Sequence, residues 1–326
     1  MERLNLKDRK ILYELNLDSR QSFRSIGRKV GLSKDVVTNR INKLEELGII
    51  TKFYTEINLF KLGYFCFRFY ISFQNITPAI KEEIINYFKD CKYSVWVASI
   101  KGEYDLGLYV LFKRMDDFFS FWRKTLIKYR NYFQKQAISA YNQYRIYKYR
   151  FLIDNESDGF NKKNTEKDVT VSGGEIVKTD DLDFQILKLL SSNTRISTIE
   201  IAEKLNSNTK TVAARIKKLK DLDVIQGYTI NIDHFALDYY IYKANIQLND
   251  YNKRLSIIEY IVKNPALLMI DESAGFVDLE LNFIVKDTKQ FHQIIEDLKS
   301  KFPNNIKDYN YFYIEKFHKL QFIPDE

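Results

Sequence analysis

Residues Asp8 to Tyr64 recur without a gap as Asp183 to Tyr239, at a constant offset of 175. Asp8, Ile11, Leu12, Leu15, Arg20, Ser22, Ile26, Lys29, Val37, Arg40, Ile41, Lys43, Leu44, Leu47, Ile50, Ile57 and Tyr64 are identical in both copies. A repeat of this length is a whole folding unit plus the start of the next, too long for a solenoid period. The chain must therefore fold into two copies of one architecture, and it acts through a related pair.

At 326 residues the chain suits roughly two to four domains. No segment approaches the ~18 consecutive apolar residues of a membrane span. The start, Met-Glu-Arg-Leu-Asn, lacks the apolar core of a signal peptide. Cys66 and Cys91 are too few for a disulfide scaffold or a zinc site. These features predict a soluble, reduced, cytoplasmic protein with no membrane partner, no cofactor and no metal.

The net charge of +8 is unevenly spread: residues 1–150 carry +13 and residues 151–326 carry −5. A basic leading half points to a polyanionic partner, most often nucleic acid. The plainer alternative is a solvated surface of uneven charge. The run DNESDGFNKKNTEKDVTVSGGEIVKTD is polar and Gly-containing, a linker composition between the copies.

Each copy opens with helical periodicity. In the first, Leu6, Ile11, Leu12 and Leu15 form an apolar stripe, and Asp8 lies in the first turn, where a carboxylate suits the helix dipole. Phe23, Ile26 and Val30 mark a second helix ending at Gly31, a left-handed cap. Ser33 reads as the N-cap of a third, with Val36, Val37, Ile41, Leu44 and Leu47 facing inward until Gly48. Ile49 to Tyr54 follows as a wing strand. The second copy repeats the plan with Asn206, Asn208 and Asp223 in place of Gly31, Ser33 and Gly48.

From Tyr64 and from Tyr239 the pattern becomes strand, helix, strand, strand, helix, strand, the order of a ferredoxin-like βαββαβ unit. In Tyr64–Phe73 the residues Cys66, Arg68, Tyr70 and Ser72 alternate with Phe65, Phe67, Phe69 and Ile71. The expected fold class is α+β: two winged helix-turn-helix domains and two ferredoxin-like antiparallel-sheet domains forming a pseudo-dimer. The expected boundaries are 1–53 and 54–152, a linker at 153–179, then 180–228 and 229–326. The two sheets are expected to stack face to face and bury their aromatic faces.

Three short helices with a tight turn before the third form a helix-turn-helix, whose third helix presents its N-terminal residues to base edges. Lys34, Asp35, Thr38, Asn39 and then Asn42 occupy that face, and Thr209, Lys210, Ala213, Ala214 and Lys217 replace them in the second copy. Asn and Lys can read adenine or guanine edges, whereas Arg28, Ser33, Arg40, Lys43 and Lys52 suit phosphates. Asn208, Arg215 and Lys218 are the counterparts of Ser33, Arg40 and Lys43. The bland reading is a structural bundle with solvated Lys and Asn. It is stronger for the Ala-rich second copy, which would then serve pseudo-dimer geometry.

The segments ILYELNLDSRQSFRSIGRKVGLSKDVVTNRINKLEELGII and ILKLLSSNTRISTIEIAEKLNSNTKTVAARIKKLKDLDVI resemble the winged helix-turn-helix of the Lrp/AsnC (feast/famine) family of archaeal and bacterial regulators. The domain after each is similar to that family's effector-binding and dimerising domain. The resemblance spans nearly the whole chain, with one departure: members usually carry one copy and dimerise. It implies double-stranded DNA as partner, a small amino-acid-like effector, and assembly beyond the pseudo-dimer. It also implies that Ser99, Gly102, Asp105, Ser273, Gly275 and Asp278, at two Gly-x-x-Asp turns, are effector positions. The structural alternative is that Gly permits each turn and Asp caps its amides.

His234, His292 and His318 pair with no cysteine or carboxylate at metal-ligand or triad spacing, and no phosphate-binding glycine loop is present. Sirohaem decarboxylases resemble paired proteins of this architecture, but the equivalent strands here, Val95–Ser99 and Leu268–Glu272, lack a histidine. A low-specificity architectural DNA-binder is the other alternative. The expectation is a sequence-specific transcription regulator, not an enzyme, in which copy one dominates binding.

Overall fold

The computed structural model describes residues 4–153 and 168–324. Helices α1 (Leu6–Leu17), α2 (Phe23–Val30) and α3 (Lys34–Glu46) precede strand β1 (Ile50–Ile57). Local chemistry sets each boundary. Asn5 and Ser22 accept the amides of Asp8 and Ser25, Ser33 accepts that of Val36, and Gly31 ends α2 at φ 68°. Ile11, Leu12, Leu15, Ile26, Val30, Val37, Ile41 and Leu44 make the core. Val36 and Leu47, expected to face inward, are 39% and 53% exposed. They sit one step off the buried 37–41–44 stripe, so the helix turns them outward.

The second unit repeats this with α6 (Asp181–Ser192), α7 (Thr198–Lys204), α8 (Thr209–Asp221) and β7 (Ile225–Ile232). Asn206 (φ 48°) and Asp223 (φ 55°) take the left-handed positions that Gly31 and Gly48 hold in the first.

The two winged units are joined through β1 and β7, which pair antiparallel as a two-stranded ribbon. Tyr54 faces Thr229, its own counterpart at offset 175, so a pseudo-twofold axis passes between them. Contacts across it come in pairs. The Ser19 amide donates to the Tyr228 carbonyl and the Thr194 amide to that of Phe53, each at 3.0 Å. Asn58 N–H reaches Val224 O, and Asp233 N–H reaches Ile49 O.

The remaining strands are β2 (Phe65–Phe73), β3 (Ser94–Gly102), β4 (Leu106–Phe112) and β5 (Phe133–Ile146), with helices α4 (Pro78–Lys89) and α5 (Met115–Tyr129). The second half supplies β8 (Tyr240–Leu248), β9 (Leu267–Ala274), β10 (Leu279–Val285) and β11 (Ile306–Leu320), with α9 (Arg254–Ile261) and α10 (Thr288–Lys301). Each half orders its strands as expected, but the two sheets do not stack. They join edge to edge, β3 to β11 and β5 to β9, and the eight strands close into a barrel. Each last strand pairs with its own sheet along its first part and with the other half along its second.

Closure separates the two faces of every strand. Phe67, Phe69 and Ile71 pack outward with Phe88, Phe112, Phe118 and Phe121 in the core of the first half, so the aromatic faces lie under their own helices and not between sheets. Tyr70, Ala98, Ile100, Phe312 and Ile314 form a separate cluster drawn from both halves. Of the expected linker, residues 154–167 lie outside the described residues. Val169–Ser172 is not a linker but a strand, β6, paired with the end of β5.

Candidate nucleic-acid interface

The turn between α2 and α3 is closed by the Leu32 amide on the Gly27 carbonyl at 2.9 Å, which sets α3 across α2 with its apolar stripe inward. Lys34, Asp35, Asn39 and Asn42 are left exposed on the other side. Thr38 is half-buried, and its hydroxyl donates back to Lys34 O at 2.9 Å. Arg28 is exposed at the end of α2, and Lys43 is exposed on α3. Ser33 spends its hydroxyl on the helix cap at 3.3 Å.

Two residues expected at phosphates have other work. Arg40 donates to the Asp8 carboxylate at 2.7 Å, tying α3 to α1. Lys52 is half-buried with its ammonium 5.3 Å from the Phe322 ring, and desolvation lowers its pKa.

The second unit has a thinner polar face. Ala213 and Ala214 occupy its middle, with Lys210 and Lys217 exposed and Thr209 half-buried. The Asn208 side chain accepts the Lys210 amide at 2.7 Å. Arg215 bonds Asp180 at 2.5 Å and Asp183 at 3.0 Å, the counterpart of the Arg40–Asp8 tie. Lys217 pairs with Asp221 at 2.8 Å, and Lys218 lies 4.0 Å from Asp183. Three of its four cations are thus already partnered within the unit, whereas Lys34 and Arg28 form no ion pair among the described residues.

The six turn positions are engaged in the fold. The Asp105 carboxylate accepts the Phe73 amide at 2.8 Å, and that of Asp278 accepts the Leu248 amide at 2.7 Å, each closing the end of its half's first strand. A Cβ on Gly102 would lie 2.4 Å from Tyr311 O, and one on Gly275 would lie 2.2 Å from Ser139 Oγ, so only glycine fits. Ser99 bonds His318 Nε2 at 2.8 Å, and Ser273 donates to Glu280. His292 packs edge-on against Tyr311. His234 is buried against Phe235 and Phe317, and desolvation pushes its pKa down to about 4. Among the described residues, no group of three or more His, Cys, Asp or Glu could hold a metal ion, and no helix is long and apolar enough to cross a membrane.

The strand alternation does not disclose a buried charge cluster between the halves. Arg68 pairs with Asp271 at 2.9 Å, and Lys243 pairs with Asp271 at 2.6 Å and with Glu280 at 2.5 Å. Asn282 donates to Asp271 at 2.9 Å, and the Tyr141 hydroxyl to Glu280. Burial alone would raise the Asp271 pKa, but Arg68 and Lys243 together overcome it and hold it below the usual carboxylate range.

The winged helix-turn-helix DNA-binding family matches residues 4–51 and 179–226. The HTH-type transcriptional regulator Ptr1 of Methanocaldococcus jannaschii is 38% identical over 109 residues, 33% of this chain and 72% of that protein. The regulator LrpC of Bacillus subtilis is 44% identical over 61 residues, 19% of this chain and 42% of its own length. The crystal structure of the siroheme decarboxylase NirDL superposes with a TM-score of 0.63 over 97% of this chain and 93% of that one. At 12% identity that likeness is one of fold alone.

Proposed function

We propose a mechanism for a chain that belongs to the Lrp/AsnC (feast/famine) family of transcription regulators, duplicated in tandem. It is a sequence-specific DNA-binding regulator that acts as a covalent pseudo-dimer. One observation carries the mechanism: two winged units are fixed about a pseudo-twofold axis by the β1–β7 ribbon, yet present different side chains outward. In this reading α3 enters a major groove with Lys34 and Asn39 at base edges, while Arg28 and Lys43 meet phosphates. Helix α8 adds a weaker contact through Lys210. Arg40 and Arg215 act through the frame of their units, and not on DNA.

Because the two faces differ, the preferred site is an imperfect palindrome with half-sites about one helical turn, ~10 bp, or a multiple apart. Selection from a random duplex library, followed by binding of the enriched sequences, tests this. An unequal pair of half-sites is expected. A perfect palindrome as best ligand, or no retention of duplex at low ionic strength, overturns it. A small effector, further self-assembly and a cytoplasmic setting belong to the same reading.

A further inference from the structure

Between the barrel and the β1–β7 ribbon lies a cavity of about 270 Å³. The barrel strands contribute Arg68, Trp96, Tyr144 and Phe317, and the ribbon contributes Tyr54 and Glu56. None of the six turn positions lines it. The lining is mostly aromatic and aliphatic, as in sites that enclose a small organic ligand.

Its charges are unevenly satisfied. Arg68 and Lys243 have the carboxylates of Asp271 and Glu280. Lys148, also on the lining and only 7% exposed, has none: among the described residues no carboxylate lies within 4.0 Å of its ammonium, which donates to Asn16 O at 3.0 Å. Glu56 makes no ion pair with it. Burial raises the Glu56 pKa despite the Tyr54 hydroxyl that donates to it at 2.7 Å and the attraction of Lys148. Glu56, Asp168 and Asp18 act on the Lys148 ammonium only from beyond ion-pair distance, and burial, which is costly for a charge, outweighs them and lowers its pKa. Buried groups on the lining with no hydrogen-bond partner among the described residues include Tyr70 Oη and His234 Nε2.

We propose that this cavity binds a small carboxylate with an aromatic body, its carboxylate on Lys148 and its ring among Trp96, Tyr144 and Phe317. The position also suits control. Asn16 lies in the last turn of α1, and its carboxamide donates to Thr229 Oγ1 at 2.8 Å and accepts the Tyr149 amide at 2.7 Å. Thr229 is the residue that faces Tyr54 on the pseudo-axis. A ligand that draws the ammonium from Asn16 O alters the contact bracing the first reader on the ribbon, and so favours one pose of the readers over another. This coupling rests on the DNA-binding reading; occupancy of the cavity does not.

The chain has two tryptophans, and Trp122 packs on Phe69 and Phe133 away from the cavity, so Trp122→Phe leaves Trp96 as the sole reporter. Phenylacetate and 3-phenylpropionate should change its emission saturably, and uncharged 2-phenylethanol should bind about tenfold or more weakly, as expected for loss of a charge-assisted bond. Lys148→Met in that background should abolish the preference, and Lys148→Arg should keep it, with melting curves verifying that both are folded. No saturable change with either carboxylate, equal binding of acid and alcohol, or a preference that survives Lys148→Met overturns the site. Duplex binding measured by anisotropy separates the two readings. Intact DNA binding with no response of Trp96 sinks the cavity alone. Saturation of Trp96 without any duplex binding sinks the regulatory reading alone. Saturation with DNA affinity unchanged sinks the coupling.

Discussion

Arg68 on β2 and Lys243 on β8 stand 175 residues apart at equivalent places in the two halves of the barrel. Both carboxylates that hold them, Asp271 and Glu280, nevertheless come from the second half. The corresponding positions in β3 and β4 of the first half, at an offset of 173, are Ala98 and Gly107. Trp96 fills that space, since a Cβ on Gly107 would lie 2.6 Å from its ring. The readers differ in the same manner: the ties Asp8–Arg40 and Asp183–Arg215 recur, while the outward faces of α3 and α8 do not. A two-chain dimer with identical subunits must place every acid of its interface twice. A single chain needs each only once, so groups near the pseudo-axis can become one-sided while each unit's internal frame stays the same.

The largest effect should come from removing the one-sided acid. Asp271→Asn keeps the volume but leaves Arg68 and Lys243 under-neutralised, and should cost about 3–5 kcal/mol in urea unfolding. A loss below ~1 kcal/mol would mean the halves do not depend on it. The pH dependence has a definite sign. A carboxylate whose pKa is depressed in the folded state stabilises above its unfolded value, near 3.9, and that stability is lost as pH falls through the lower folded value. The variant should therefore show a flatter decline in acid than the parent.

The two frame arginines should separate next. The Asp183 side chain is 1% exposed and that of Asp8 is 16%. Arg215→Ala should therefore cost about 2 kcal/mol, because the buried Asp183 carboxylate is left with only Lys218 at 4.0 Å, and Arg40→Ala less than about 1 kcal/mol. Equal losses in melting experiments would erase this difference between the units. On DNA, replacing Lys34 and Asn39 together by Ala should lower affinity about tenfold, ~1.4 kcal/mol. Replacing Lys210 and Lys217 should lower it less and flatten the salt dependence less. Anisotropy titrations at several salt concentrations would reveal a reversed order if copy two leads. Smallest of all, Asn206→Gly gives the second unit the cap of the first and should stabilise it by about 0.5 kcal/mol. A lower melting temperature would show that Asn206 is held by more than its φ.

The parts legible in the sequence are those set by neighbours in the chain. Ser33, Asn208, Gly31 and Asn206 act as caps within a few residues, so their types and positions identify the helix ends directly. Barrel closure is not legible, because β3–β11 and β5–β9 are joined by backbone groups that leave no side-chain pattern. Arg68 alternates with Phe67 and Phe69 just as a solvent-facing residue would, and only the opposite strands reveal that its face is interior. Arg40 resembles a phosphate ligand until Asp8 is placed beside it. A signal was present there: Asp8 and Arg40 recur together, as opposite charges, at Asp183 and Arg215. Lys148 and the cavity have no such mark, since they depend on both halves meeting.

Every rim of one half-sheet is occupied by a rim of the other, β3 with β11 and β5 with β9. Cutting the chain between the repeats and parting the pieces would bare four unpaired strand borders, the kind of surface on which chains aggregate. Neither portion could then be shed, or inherited alone, without a substitute for its sibling. The joining of the two copies is thus a ratchet, free to let the halves drift apart in detail but not to release either one.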